Sequence, residues 1–513
     1  MLVKTYGSAV LGVDATTVTV EVSVAPGVNF FMVGLPDVAV KESHHRIEAA
    51  LKHHGYKIPG KRIIVNMAPA NIRKEGSAYD LTIAMGILAA TGQVEAERID
   101  RYMIMGEVSL DGGLQPIRGA LPIAINAREL GMEGFILPLP NAREAAVVDG
   151  LKVYGVENIR EVIDFFNGCA RPEPVVVDTR SEFLARLNDY TYDFSDVKGQ
   201  ENIKRAIEVS AAGGHNLLLV GPPGSGKTML ARRIPGILPP PSLQEALETT
   251  KIHSVAGQLE AHTSLLAVRP FRSPHHTISD IALVGGGTHP QPGEISLAHN
   301  GVLFLDELPE YKRSVLEVLR QPLEDRLMTV NRARYSVTYP AGFMLVASMN
   351  PCPCGFYNHP EKDCLCSPVT VQKYLSRISG PLLDRIDIHL EVTPVAFGEL
   401  QQAKPSESSL DIRSRVIRAR EIQAARYRDQ EGVYCNARIP PRLMRLHCQT
   451  GEAGRLLLKT AMERLALSAR AHDRILKVSR TIADLAGSEA IGPEHLAEAI
   501  HYRSLDRESW GTG

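Results

Sequence analysis

The run Gly221-Pro222-Pro223-Gly224-Ser225-Gly226-Lys227-Thr228 has the residue types and spacing of a phosphate cradle. Its glycines let backbone N–H groups converge on anionic oxygens. Lys227 is placed to neutralise β- and γ-phosphate charge, and Thr228 to set a hydroxyl on Mg²⁺. The expected ligands are ATP and Mg²⁺. A second set closes the run Gly301-Val302-Leu303-Phe304-Leu305-Asp306-Glu307, an apolar stretch that ends in two acids. Asp306 is expected in the Mg²⁺ shell and Glu307 beside the attacking water. Alone, such a stretch reads as a strand ending in a solvated acidic turn. After a phosphate loop, the catalytic reading leads. A third apolar run, 343–348, enters Met349-Asn350-Pro351, where Asn350 could orient water near the γ-phosphate.

Four of the seven cysteines form two C-x-C pairs, Cys352/Cys354 and Cys364/Cys366, with nine residues between the pairs. Four thiolates in a loop rich in proline and glycine can close a tetrahedral zinc site, although structural zinc pairs usually have two or more intervening residues. Four reduced thiols is the other reading. His359 lies between the pairs and could replace one ligand. Cys169, Cys435 and Cys448 read as isolated. His44-His45 and His53-His54 read as solvated pairs on a charged helix, without metal.

These groups need strands and helices to hold them. Asn216 to Val220 is a short apolar strand leading into the phosphate loop, and Met229 to Arg233 suits a helix leading out of it. That arrangement aims a helix start at the anion. Upstream, Thr17 to Val24 alternates with period two and reads as a strand, as does Arg62 to Met67. Val40 to Gly55 reads as a charged helix that stops at glycine, and Asp80 to Ala90 as an apolar helix. The predicted organisation is a domain over 1–170, a linker over 171–190, an ATPase core over 191–395 and a helical lid over 396–513. The fold class is α/β, with a parallel sheet in the core.

Composition narrows the class. The net charge of −1 over 513 residues carries no bulk positive field, so any nucleic-acid contact must be local. Leu81 to Ala90 is the nearest approach to a long apolar stretch and is too short to span a bilayer. The N-terminus has no apolar leader with a cleavage site. An odd cysteine count, with four clustered, is unlike a secreted disulfide framework. The expectation is a cytoplasmic protein with no membrane partner.

Arg73-Lys74-Glu75-Gly76-Ser77-Ala78, the apolar helix after it, Met105 to Gly112, and Gln115-Pro116-Ile117-Arg118-Gly119 resemble the Lon protease domain. That family uses a serine nucleophile activated by a lysine. The serine position falls on Ala78 and the lysine position on Leu121. Ser77 is one residue away, but no lysine occurs between Lys74 and Lys152. The resemblance therefore implies a Lon-like α+β domain without its dyad, retained for assembly or binding.

Phe271-Arg272-Ser273-Pro274-His275-His276-Thr277, Val284-Gly285-Gly286-Gly287, Pro292 to His299 and the Asp306 run resemble magnesium chelatase ATPase subunits. A Lon-like domain fused to such a core resembles the YifB/ComM family of magnesium chelatase-like AAA+ ATPases. That resemblance implies a homo-oligomeric, hexameric ring that hydrolyses ATP. It further implies a helicase on single-stranded or branched DNA that drives branch migration when transforming DNA is integrated. A chelatase-type motor that remodels a protein partner is the alternative, and a Lon-like peptidase a third. In the related minichromosome maintenance helicases a basic hairpin points into the pore. Arg326 to Val330 and Arg334 to Thr338 read as such a hairpin, with Arg332 and Arg334 flanking its turn as DNA contacts. Leu382 to Asp387 resembles the element carrying the arginine finger, here Arg385, with an ion pair to Asp384 or Asp387 as the alternative. Leu467 to Arg470 opens a lid helix with Ser468 as its N-cap. There Arg470 matches the family's second sensor arginine, with Arg474 its rival.

Overall fold

The computed structural model describes residues 2–170, 172–260, 263–287, 290–332, 335–357, 359, 362–394, 406–430, 432–465 and 467–503, the side chains of Arg332 and Tyr335 aside. Residues 2–170 build a seven-stranded mixed sheet. Its order is Phe30–Val33, Arg62–Ala68, Asp14–Ala25, Leu2–Leu11, Tyr102–Ile104, Gly134–Pro138 and Lys152–Val156. The first hairpin is a long antiparallel ladder running from Leu2↔Ser23 to Leu11↔Asp14. The helix Asp80–Ala90 packs on this hairpin with every residue buried. A helix apolar all round belongs inside a core. Its one charge, Asp80, is held by Arg46, whose Nε and Nη2 donate over 2.6 and 2.8 Å. A buried carboxylate needs such a partner, because an unpaired one is expelled by its lost hydration.

The second sheet is parallel throughout. Its order is Phe271–Arg272, Val302–Leu305, Met344–Met349, Leu217–Val220 and Ile388–Glu391. The three inner strands are wholly buried, as expected of parallel strands covered on both faces. Side chains alternate between two cores, because a strand repeats every two residues. Leu217, Leu219, Phe304 and Val346 enter one core, which the lid helices Ser409–Arg426, Ala469–Leu485 and Pro493–His501 complete with Ile412, Ile475, Ile482 and Leu496. Leu218, Val220, Leu305 and Ala347 enter the other, against Leu283, Ile295, Val315 and Leu316. The lid is thus one of the two layers that cover the sheet.

The first domain is clamped to the second rather than tethered. Within the stretch expected as a linker, Thr179–Arg186 forms a helix whose Phe183 joins the N-terminal core. Helix Leu243–Ala256 contributes Ala246 to the same core. Polar groups seal the seam. The buried Glu144 carboxylate accepts from Leu121 N at 2.9 Å and from Ser254 Oγ, and Gly119 N donates to Ser254 O at 3.1 Å. Burial pushes the Glu144 carboxyl above its ordinary range, against those hydrogen bonds.

Between the Asp306 and Asn350 strands the chain inserts an antiparallel hairpin, Leu327–Arg332 with Tyr335–Pro340. Its base is closed by Ala341 N to Arg326 O at 2.8 Å and by Arg326 Nη1 to Phe343 O at 2.9 Å. Val330, Val337 and Tyr339 pack there with Val13, from the first turn of the N-terminal domain. Arg334 lies outside the described residues, and so does the side chain of Arg332.

Candidate active site

Parallel pairing brings the three chemical segments to one end of the sheet. Val220 pairs with Met349 and Leu305 with Ala347, so Gly221, Asp306 and Asn350 all leave their strands on the same side. Gly221 N donates to Met349 O at 3.1 Å. Gly224 and Gly226 take φ of 80° and 89°, the left-handed region that a side chain disfavours. Those turns deliver the helix Lys227–Ala231.

The side chains then converge. Lys227 Nζ donates to Gly221 O at 2.7 Å, to Pro222 O at 2.9 Å and to Asn350 Oδ1 at 3.3 Å. Burial lowers its proton affinity, opposed by Asp306 and Glu307. Thr228 Oγ1 donates to Asp306 Oδ2 at 2.8 Å, and Ser348 Oγ donates to Asp306 Oδ1. A hydroxyl beside a carboxylate is a pair of hard oxygens, the donor set that Mg²⁺ takes together with phosphate. Thr228 and Asp306 therefore suit a Mg²⁺ ion. Glu307 stands at φ 54°, its side chain about half exposed. That conformation costs a non-glycine residue about 1–3 kcal/mol and turns this carboxylate out of the strand, toward the open site.

Two contacts were not foreseen from sequence. His276 Nδ1 lies 3.3 Å from Glu307 Oε2, with its ring 4.1 Å from that of His275. Gln200 Nε2 bridges Ser225 O at 3.1 Å and Thr393 O at 3.0 Å, tying the phosphate loop to the edge strand. His276 was legible as part of a motif but without a role. Gln200 had no signal.

Arg385, Arg470 and Arg474 are not brought to this end. The strand Ile388–Glu391 runs parallel to Leu217–Val220, pairing Leu217 with Ile388 and Val220 with Glu391. Arg385 precedes that strand, so it lies at the end of the sheet opposite the phosphate loop. It pairs with neither Asp384 nor Asp387. Its Nη2 donates to Glu324 and its Nη1 to Pro381 O at 2.6 Å, while Nε is buried without a partner. Arg470 lines the same cleft, two-thirds exposed, with Nη1 3.3 Å from Asp384 Oδ2.

Arg474 is instead part of a buried lock between lid and core. Its Nη1 lies 2.8 Å from Asp387 Oδ1, and Asp387 Oδ2 accepts from Asn216 N at 3.1 Å. His215 Nδ1 lies 3.4 Å from Asp387, and its Nε2 is 2.8 Å from Thr481 Oγ1 of the lid. Burial alone would push the Asp387 carboxyl up, yet Arg474 and His215 hold it well below the usual carboxylate range. Asp387→Ala should destabilise the protein by about 1–3 kcal/mol, because it takes the acceptor from the buried Asn216 N–H and from a part-buried Arg474 guanidinium. Urea unfolding followed by circular dichroism measures this. A loss under about 1 kcal/mol would mean that Arg474 finds water or another partner.

The Sγ atoms of Cys352, Cys354, Cys364 and Cys366 all lie within 4.8 Å of one another. His359 is not in that cluster, and its Nδ1 accepts from Lys362 N at 3.2 Å. The reading of four solvated histidines needs correction at His54. Its Nε2 is enclosed under Gly112, where an added Cβ would lie 2.2 Å away. In the N-terminal domain Leu121 is core and Ser77 Oγ donates to Glu107 Oε2. Lys74 Nζ donates to Pro69 O and Ile72 O.

Family models for magnesium chelatase subunit ChlI match residues 193–400 and 20–141, and one for its C-terminal part matches 406–503. The competence protein ComM of Haemophilus influenzae is 43% identical over 506 residues, covering 98% of this chain and 97% of that protein. YifB of Escherichia coli K12 is 44% identical over 506 residues, covering 97% and 96%. Lon protease 2 of Bacillus subtilis is 30% identical over 157 residues, 28% of this chain and 27% of that one. Similarity over nearly the full length, on top of a phosphate loop whose Lys227 and Thr228 reach Asn350 and Asp306, places the chain in the YifB/ComM family of magnesium chelatase-like AAA+ proteins.

Proposed function

We propose that this chain is an ATP-driven motor that assembles as a hexameric ring in the cytoplasm and moves single-stranded or branched DNA, as a branch-migration helicase does. The relative from Haemophilus influenzae is named a competence protein, and competence is the state in which a cell takes up DNA. In this reading Lys227 and the phosphate-loop amides hold ATP, and Thr228 and Asp306 hold Mg²⁺, which supplies charge against the phosphates. Glu307 takes a proton from the attacking water, with His276 orienting it. Asn350, hydrogen-bonded to Lys227, reports the γ-phosphate along its strand. The N-terminal domain serves assembly. Ser77 faces a carboxylate and Lys74 faces carbonyls, so neither supplies the serine–lysine pair that proteolysis needs.

The observation that carries DNA as the substrate is the position of the hairpin. It is inserted between the strand that ends in Asp306 and the strand that ends in Asn350, and its base is closed by two hydrogen bonds. Its ladder has six residue pairs, and it leads into the strand Met344–Met349, whose far end carries Asn350. Arg332 and Arg334, which by sequence flank its turn, would grip phosphates, and six copies would make a positive ring in a chain of neutral bulk charge.

Arg332→Ala with Arg334→Ala tests this. Stability should change by no more than about 0.5 kcal/mol, as for a surface turn. DNA affinity should fall, and its salt dependence should flatten, because fewer counterions are released. Strand displacement should fall further than basal ATP hydrolysis. Unchanged affinity, salt slope and unwinding would remove the hairpin from the DNA path. The matched chelatase subunit models favour the second reading, a motor that remodels a protein partner. It predicts an ATPase rate indifferent to single-stranded or forked DNA.

A further inference from the structure

We propose that Cys352, Cys354, Cys364 and Cys366 bind one zinc ion, and that this ion braces the end of the Asn350 strand against the phosphate loop. The sulfurs are already arranged for it. Cys352 Sγ lies 3.3 Å from Cys354 Sγ and 3.7 Å from Cys364 Sγ, and Cys354 to Cys364 is 3.6 Å. Four thiolates at about 2.3 Å from one zinc stand about 3.8 Å apart at the corners of a tetrahedron. A disulfide would need about 2.05 Å, so these are not pairs on the way to oxidation. All four sulfurs fall within 4.8 Å of one another, which leaves room for one ion and not for a polynuclear cluster. Soft thiolates in tetrahedral array select zinc over magnesium, so the site does not compete with Thr228 and Asp306.

The unusual spacing has a physical reason. A C-x-C pair cannot wrap an ion by itself. Here the first pair sits in a turn closed by Gly355 N to Cys352 O at 3.0 Å, and the second pair returns from across the loop. Cys352 is fully buried while Cys354, Cys364 and Cys366 are half-buried, so one ligand is anchored in the core and three close over it.

The brace follows from two contacts. Cys352 is two residues beyond Asn350, whose Oδ1 accepts from Lys227. The next turn presses on the phosphate loop itself, since a Cβ added at Gly355 would lie 2.5 Å from Pro223 Cδ. An ion that fixes the turn therefore fixes Asn350 and Pro223 relative to each other. This half of the inference rests on the nucleotide reading above, whereas the metal half does not.

The test uses the full-length protein, purified with zinc supplied and no chelator. Metal analysis should find about one zinc per chain. A thiol reagent should meet one fast cysteine, the exposed Cys169, and four more after a strong chelator has acted. Cobalt in place of zinc should give the intense visible bands of a tetrahedral tetrathiolate. Cys364→Ser with Cys366→Ser should abolish zinc, and Cys169→Ser should leave it intact. The stripped protein should keep its far-ultraviolet spectrum and lose several-fold in affinity for a non-hydrolysable ATP analogue. Less than about a tenth of an equivalent of zinc in the wild type, with five thiols reacting at once, would overturn the metal site. That outcome does not depend on whether the variants fold. One zinc per chain with nucleotide affinity unchanged on its removal would establish the metal and overturn the brace, and so would one zinc per chain in a protein that binds no ATP.

Discussion

Glu307→Gln should bind ATP like the wild type and hydrolyse it about 10²–10⁴ times more slowly, the range lost when a general base is removed. The geometry makes this substitution clean. Glu307 is held in the left-handed region by its backbone, and its N–H donates to Asp306 Oδ1 at 3.1 Å, a bond that glutamine keeps. Its side chain is half exposed and touches His276, so the amide occupies the same space with no buried group abandoned. Only the basicity goes. Lys227→Ala should fail earlier, at binding. Its ammonium is the cation of the loop, held by two carbonyls and Asn350. Nucleotide affinity and steady-state turnover, measured on both variants, separate the two roles. Wild-type turnover in Glu307→Gln would remove the base from Glu307 and point to another group on the water.

The nucleotide end of the molecule was legible because its signals are local. A glycine-rich turn between an apolar run and a helix needs no long-range partner to be recognised, and each apolar run became an inner strand. The predicted helix at Asp80 to Ala90 formed with those bounds, and the N-cap at Ser468 formed as expected, accepting from Ala471 N at 3.2 Å. What escaped was set by tertiary contacts. Glu144 carries no signal in sequence, yet it is the buried carboxylate that joins the first domain to Ser254. Residues 179–186 read as linker because they follow Arg171-Pro172-Glu173-Pro174, and they are helical because Phe183 finds a core to enter. Arg470 and Arg474 stand one helical turn apart, so sequence could not rank them. The fold separates their surroundings, pairing Arg474 with the buried Asp387 and Arg470 with Asp384 at the surface.

Arg385→Ala should lower turnover by about 10³–10⁵ in the assembled ring, the span attributed to an arginine finger. The loss should be repaired in trans. Within one chain, Arg385 cannot serve its own nucleotide. The strand after it, Ile388–Glu391, and the strand before the phosphate loop, Leu217–Val220, run side by side in the same direction. Four residues at about 3.3 Å each put roughly 13 Å of sheet between the two ends. Any phosphate that Arg385 reaches must belong to a neighbour. The guanidinium is poised rather than committed. Glu324, its carboxylate partner, is more than half exposed although Arg385 itself is buried, so water already competes for the Glu324 end of the pair. A γ-phosphate offers more charge and can displace it. Mixing Arg385→Ala chains with Lys227→Ala chains therefore creates interfaces where an intact Lys227 meets an intact Arg385. ATP hydrolysis should return at those interfaces, although each variant alone is inactive. Glu324→Gln supplies the control, since it frees Arg385 without removing it and should leave turnover near wild type. Mixed rings, verified by mass spectrometry of tagged chains, that recover nothing would take the finger away from Arg385. Arg470 would then be the arginine left to test, since it lines the same cleft and its charge is open to a partner.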